Sequence, residues 1–258
     1  MINRFPLFFH KNSHKIFLYF FVAFFALQIF FWLKTENIKP QYNIVPNLPN
    51  SDVVKVLSAG DDEFLFRVLA LRIQNSGDVF AGFIALKDYD YLKLYQWFLL
   101  LDSLNEKSNL VPSLASYYFS QSPNKSDVAY VERYLEEHSL KNVDANWWWL
   151  FQAIELARTN LQDNNLALKL AYKLSENNAK NAPLWTKQMP AFIHARRGEG
   201  CMAFAVIQKL IDENNAGVRQ ISVEEMNFMR YFIGERLAKL KNQGFNPKKC
   251  QTKNETKY

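Results

Sequence analysis

The chain has 258 residues, of which 49% are apolar and 22% charged, with a net charge of +6. The positive excess sits at the two ends: residues 1–39 hold five basic side chains against one acid, and residues 239–258 hold six lysines against Glu255, which leaves −3 for the span between. The body of the chain is therefore mildly acidic and has no basic footprint for a nucleic acid.

Residues Ile16 to Leu33 carry no charge and are flanked by Lys15 and Lys34. Eighteen helical residues span about 27 Å, close to the hydrocarbon thickness of a bilayer. The residues that close it, Phe30-Phe31-Trp32-Leu33 and then Lys34, are bulky where a signal peptidase needs small side chains, so the segment reads as a retained anchor. Arg4, Lys11 and Lys15 outweigh Lys34 and Lys39 with Glu36 beside them. That bias predicts a cytoplasmic N-terminus (residues 1–15), a transmembrane anchor (16–33) and everything later outside the cytoplasm. The Lys, Asn, Ile and Phe usage fits an AT-rich genome, and the expected setting is a bacterial inner membrane with the C-terminal domain in the periplasm.

Residues 34–60 contain Pro40, Pro46 and Pro49 among polar residues and read as an extended spacer. From 61 to 241 the pattern is helical. Asp61-Asp62 opens a helix that stops at Asn75-Ser76-Gly77-Asp78, and a second runs from about Asp88 to Asn105. Val111-Pro112-Ser113 opens a short third, broken at Ser122-Pro123-Asn124, and Ser126 or Asp127 caps a fourth. The next runs from Asn146 to Leu161, and its partner follows Asp163-Asn164-Asn165 and ends at Asn177-Asn178. Pro183 opens another that turns at Arg197-Gly198-Glu199 into a further helix, and Ser222 with Glu225 forms a capping box for the last. The result is all-α: about four helix pairs and a terminal capping helix. The tail, 242–258, lacks apolar periodicity, contains Gly244 and Pro247, and reads as disordered and basic.

The stretch Asp163 to Leu174, DNNLALKLAYKL, resembles the second helix of a tetratricopeptide unit, with small Ala167 and Ala171 for close helix approach. Ala129, Ala167 and Ala203 recur at spacings of 38 and 36, near the tetratricopeptide period of about 34. The resemblance covers residues 125–214, and the Trp, Leu, Gly and Tyr positions of a first helix are not all matched. It implies a right-handed α-solenoid, in the manner of single-pass membrane-anchored tetratricopeptide-like proteins. One helix pair cannot bury its faces alone, whereas stacked neighbours can.

No catalytic signature is present: no H-E-x-x-H, G-x-S-x-G or phosphate-binding Gly loop. His138 and His194 are far apart in sequence and do not suggest a zinc site. Cys201 and Cys250 are the only thiols; an oxidising compartment permits a bridge, and sequence leaves the pairing open.

Two features are candidates for partner binding. Trp147-Trp148-Trp149 sweeps about 200° around a helix, wider than the buried stripe of a typical surface helix, so at least one ring should be partly exposed or sit at an inter-helix groove, unless the solenoid packs this helix on two sides and absorbs all three. Asp88-Tyr89-Asp90-Tyr91 offers acids and hydroxyls as a polar rim, or else caps a helix with its tyrosines half buried.

The expectation is a non-enzymatic interaction scaffold without cofactor or metal, facing the periplasm and supporting envelope assembly or secretion by binding another envelope protein. The alternative is an enzyme or binding protein for cell-wall polysaccharide, drawing on Asp88, Asp90, Glu136 and Glu137 as paired carboxylates.

Overall fold

The computed structural model describes residues 13–35, 44–79, 82–177, 180–239 and Cys250. Residues 1–12 and all of the tail 242–258 except Cys250 lie outside that description, as does the Pro40 part of the spacer. The chain divides into two units, 1–43 and 44–258.

In the first unit α1 runs from Ser13 to Thr35, and its apolar side chains are all exposed. By length and composition it can cross a membrane.

Among its described residues the second unit is helical apart from connecting loops and a two-residue antiparallel ladder, β1 (Asp78–Val79) with β2 (Gly82–Phe83). Its helices are α2 (Ser51–Ser58), α3 (Asp62–Gln74), α4 (Tyr91–Leu104) and α5 (Leu110–Ser113). Helix α5 continues directly into a π-helical stretch, Leu114–Tyr118, and a 3-10 turn, Phe119–Gln121. Then come α6 (Lys125–Lys141), α7 (Val143–Thr159), α8 (Asn164–Glu176), α9 (Trp185–Arg196) and α10 (Gly200–Asn215). Helix α11 (Val223–Tyr231) extends into a π-helical end, Phe232–Arg236.

Several starts are set by side-chain caps. Asp61 accepts from the Phe64 amide at 2.8 Å, Asp90 from Lys93 at 3.0 Å, Asp163 from Leu166 at 2.9 Å and Ser222 from Glu225 at 3.2 Å. Each removes an amide that the helix itself leaves unpaired, worth about 1 kcal/mol. Helix α7 begins at Val143, three residues before the expected Asn146, because Asn142 caps it through the Ala145 amide. Asn146 then breaks helical geometry (φ −110°, ψ 16°) and kinks the helix just ahead of the three tryptophans. Pro190 lies inside α9, which continues through it.

From α6 onward each helix packs on its predecessor and successor. Connections are short, a single residue (Asn142) between α6 and α7, so consecutive helices are antiparallel and alternate helices run the same way. The core is continuous from Val45 to Ile193 and includes fully buried Trp97, Phe98, Phe119, Tyr134, Leu150 and Ile154. A second cluster joins Phe204, Ile207, Met229 and Phe232 with Cys250.

The spacer reading needs correction. Val45 is 2% exposed, the Trp97 indole donates to the Pro46 carbonyl at 2.7 Å, and α2 occupies residues 51–58. Proline lacks a donor but keeps its acceptor. Residues 44–49 therefore stay non-helical while packing into the domain, which begins at 44 rather than 61. Helix α2 has Val54 inward but exposes Val53, Val56 and Leu57, and α3 exposes Phe64, Val68 and Leu71.

The alanine spacing also needs correction. Ala167 and Ala203 are the fourth residues of α8 and α10 and are fully buried. The fourth residue of α6 is Val128, which is buried, whereas Ala129 faces solvent.

Cys201 and Cys250 form a disulfide, which ties the start of α10 to a point 49 residues later.

Candidate functional site

The three tryptophans separate as a helix requires. Trp149 is 6% exposed, its indole donates to Asn109 at 2.9 Å, and its ring meets Tyr117 edge-on. Trp148 is 37% exposed and donates to the Tyr117 hydroxyl at 2.8 Å. Trp147 is half-buried, with its ring 5.8 Å from that of Trp185 on α9. Phe151, one turn further along α7, lies 5.4 Å from Trp148 and 5.0 Å from Trp185. Seven residues along α9, Phe192 meets Phe232 at 5.3 Å and Phe228 at 6.0 Å. An aromatic seam therefore crosses α7, α9 and α11, three alternate helices of the chain.

Beside the seam is a groove of about 700 Å³. It lies within the usual size range of ligand pockets. Its walls are three stripes with helical i, i+4, i+7 spacing. Helix α7 supplies Phe151, Glu155 and Arg158; α9 supplies Trp185, Met189, Phe192 and Arg196; the α11 end supplies Phe232, Arg236 and Lys239. Each stripe begins on an aromatic ring and ends on a cation near a helix C-terminus, where positive charge offsets the macrodipole. Because the three helices run the same way, the groove is apolar at one end and basic at the other. Arg158 is paired with Glu155, while Arg196, Arg236 and Lys239 form no ion pair among the described residues.

A second cavity of about 310 Å³ lies between α8 and α10 and includes Tyr172, Lys187 and Glu213. Several of its polar groups have internal partners. The Lys187 ammonium donates to the carbonyls of Ser175 (2.7 Å) and Asn177, closing the end of α8, and burial with Arg219 nearby pulls its pKa down. Tyr172 shares a 2.8 Å hydrogen bond with His194, whose other ring nitrogen is 2.5 Å from Glu199.

The Asp88–Tyr91 motif is not a polar rim. Tyr89 and Tyr91 are 6% and 3% exposed, and they donate to the carbonyls of Ser76 and of Phe119 (2.8 Å). Burial, with Tyr118 adding to it, pushes Tyr89 up to about 12, and burial raises Tyr91 further. Both hydroxyls stay protonated donors that hold loops to the core. Asp90 caps α4, and Asp88 is exposed in the 3-10 turn Leu86–Asp88.

The remaining acids of the paired-carboxylate reading are also engaged. Glu136 meets Lys173 at 2.6 Å, while Glu137 meets Arg133 at 2.9 Å and accepts from Tyr95. His138 is buried with Asp102, which sits 2.7 Å from its Nδ1 and also accepts from Tyr134 at 2.8 Å. Among the described residues no group of three or more His, Cys, Asp or Glu side chains is placed to hold a metal ion.

Sequence reasoning reached Trp147 and Trp148 but missed Trp185, Arg196 and Arg236. The signal was present as three helical stripes each ending in a cation, but it becomes a site only when alternate helices are laid side by side.

The chain matches no protein-family model, no curated protein and no solved structure.

Proposed function

We propose that this protein is a single-pass, membrane-anchored, right-handed tetratricopeptide-like α-solenoid. It faces the periplasm of a bacterial inner membrane and docks another envelope protein on the aromatic seam of α7, α9 and α11. The observation that carries this reading is the groove: rings and arginines are the side chains most enriched at interface hot spots, and here they converge on one face. Support for the repeat plan comes from the contacts between alternate helices, with the seam on the α7–α9–α11 side and the second cavity between α8 and α10. The basic flank before α1 supports the orientation, and the Cys201–Cys250 bridge suits an oxidising compartment. The exposed apolar stripes of α2 and α3 are a further sign of a chain built to meet others.

The test is site-specific photocrosslinking in living cells. A photoreactive residue at Trp148 or Phe192 should yield one adduct of defined mass. The same probe at Lys107, on an exposed turn, should not. The adduct should disappear when Trp185 is changed to Ala. No adduct at either position removes the interaction reading.

A further inference from the structure

The groove's charge identifies the kind of segment it takes. Its apolar end consists of Phe151, Trp185, Phe192 and Phe232, and its basic end has Arg196 and Arg236, exposed and without ion pairs among the described residues. A wholly apolar occupant would leave two guanidiniums facing it with no acceptor. A basic occupant would meet like charge, and this excludes the chain's own C-terminus, where residues 240–258 hold five lysines and one acid. Residues 40–238 carry a net charge of −3, so Arg196 and Arg236 stand against the charge of the span that holds them.

We infer that the groove binds an acidic amphipathic segment of a partner protein, with apolar side chains in the aromatic end and Asp or Glu side chains against Arg196 and Arg236. The i, i+4, i+7 spacing of the three stripes matches a helical segment presenting anchors at the same spacing. Planar guanidiniums suit this work because they grip carboxylates through two parallel hydrogen bonds. Arg158 is already held by Glu155 and keeps the groove wall in place. This inference rests on the docking reading above and adds the chemistry of the partner.

The experiment uses the full chain in phosphatidylcholine nanodiscs, panned against a display library of random 16-residue peptides. The wild-type protein should enrich sequences in which Asp or Glu accompanies Trp, Phe or Leu at helical spacing. The best synthetic peptide should bind R196E/R236E at least about tenfold more weakly, and a version with Lys in place of its acids should regain binding to that variant. Both positions are exposed, so reversal leaves the core intact. Enriched peptides without acids, or binding indifferent to the reversal, would overturn the inference. Photocrosslinks in cells without any acidic enrichment would overturn it too, while leaving the docking reading standing; absence of both would remove both. Binding to phosphatidylglycerol vesicles that R196E/R236E abolishes, in the absence of acidic peptides, would assign the cations to a lipid surface and likewise overturn it.

Discussion

The side chain of Tyr89 occupies the space that any side chain at residue 77 would need. Gly77 has φ +89°, and a Cβ built there would lie 2.7 Å from Tyr89 Cζ and closer still to its oxygen. That oxygen donates to the carbonyl of Ser76, the preceding residue. The turn after α3 is thus fixed from two sides, by a backbone angle that favours glycine and by a ring closed over it. Gly77→Ala should cost about 2–4 kcal/mol from backbone strain and overpacking. Tyr89→Phe should cost about 1–2 kcal/mol, since it leaves the Ser76 carbonyl unpaired. Denaturant melts of both single variants and the double variant check the pairing. Removing the hydroxyl removes the nearest clash, so the double variant should be more stable than the sum predicts by on the order of 1 kcal/mol.

Much of the helix punctuation was legible because caps are local. Asp61 and Ser222 act within three residues of themselves, and both cap where the sequence placed them. What was not legible is non-local. Pro46 looks like a spacer residue until Trp97, 51 residues later, donates to its carbonyl. Tyr89 and Tyr91 looked available because hydroxyl-bearing residues next to acids resemble a rim, but their acceptors are carbonyls 13 and 28 residues away. Ala129 shows the limit of spacing arguments: a one-residue shift on a helix turns a side chain by about 100°. That shift is the difference between Ala129 in solvent and Val128 in the core.

The three consecutive tryptophans should behave as three different residues. Trp149→Ala opens a cavity at a 6% exposed site and strips Asn109 of a hydrogen bond, and should cost about 3–5 kcal/mol. Trp148→Ala removes a ring that is 37% exposed, with one bond to Tyr117, and should cost about 1 kcal/mol. Yet Trp148→Ala should weaken partner crosslinking from Phe192, a loss that stability does not account for. Thermal melts and crosslink yield on the same variants separate the two roles. Equal destabilisation by both would place Trp148 in the core.

Glu132 makes the fold pH-dependent in the direction opposite to most carboxylates. It is 4% exposed on α6, and its Oε1 has no hydrogen-bond partner among the described residues. Burial first, and Glu136 second, push it up to about 7 from an ordinary 4.5. A raised carboxylate binds its proton more tightly in the folded state. Between about pH 4.5 and 7 the folded chain holds a proton that the unfolded chain has released, so stability falls as pH rises through that window. Glu132→Gln stays neutral throughout. It should leave stability near pH 4.5 little changed and raise it at pH 8 by on the order of 1–3 kcal/mol. Denaturant midpoints of both proteins across pH 4.5–8 read this out. A difference that does not grow with pH would mean that Glu132 is ionised in the fold.

The Cys201–Cys250 bridge converts topology into a gel shift. Cytosolic thiols are kept reduced, and periplasmic pairs at bridging distance are oxidised. If α1 leaves its N-terminus in the cytoplasm, both cysteines lie outside, and maleimide-polyethylene glycol added to lysed cells should not shift the wild-type chain. After reduction it should add two units. Cys250→Ser should add one without reduction, through the exposed Cys201. The same variant should lose about 2–4 kcal/mol, because the bridge closes a loop across 49 positions and holds Cys250 in the second core cluster. An alkaline phosphatase fused after residue 60 should be active, since that enzyme also needs export to form its disulfides. Two free thiols in the wild-type chain, with an inactive fusion, would reverse the orientation. Lys34 and Lys39 would then outweigh Arg4, Lys11 and Lys15, and the acidic partner of the groove would have to be sought among cytosolic proteins.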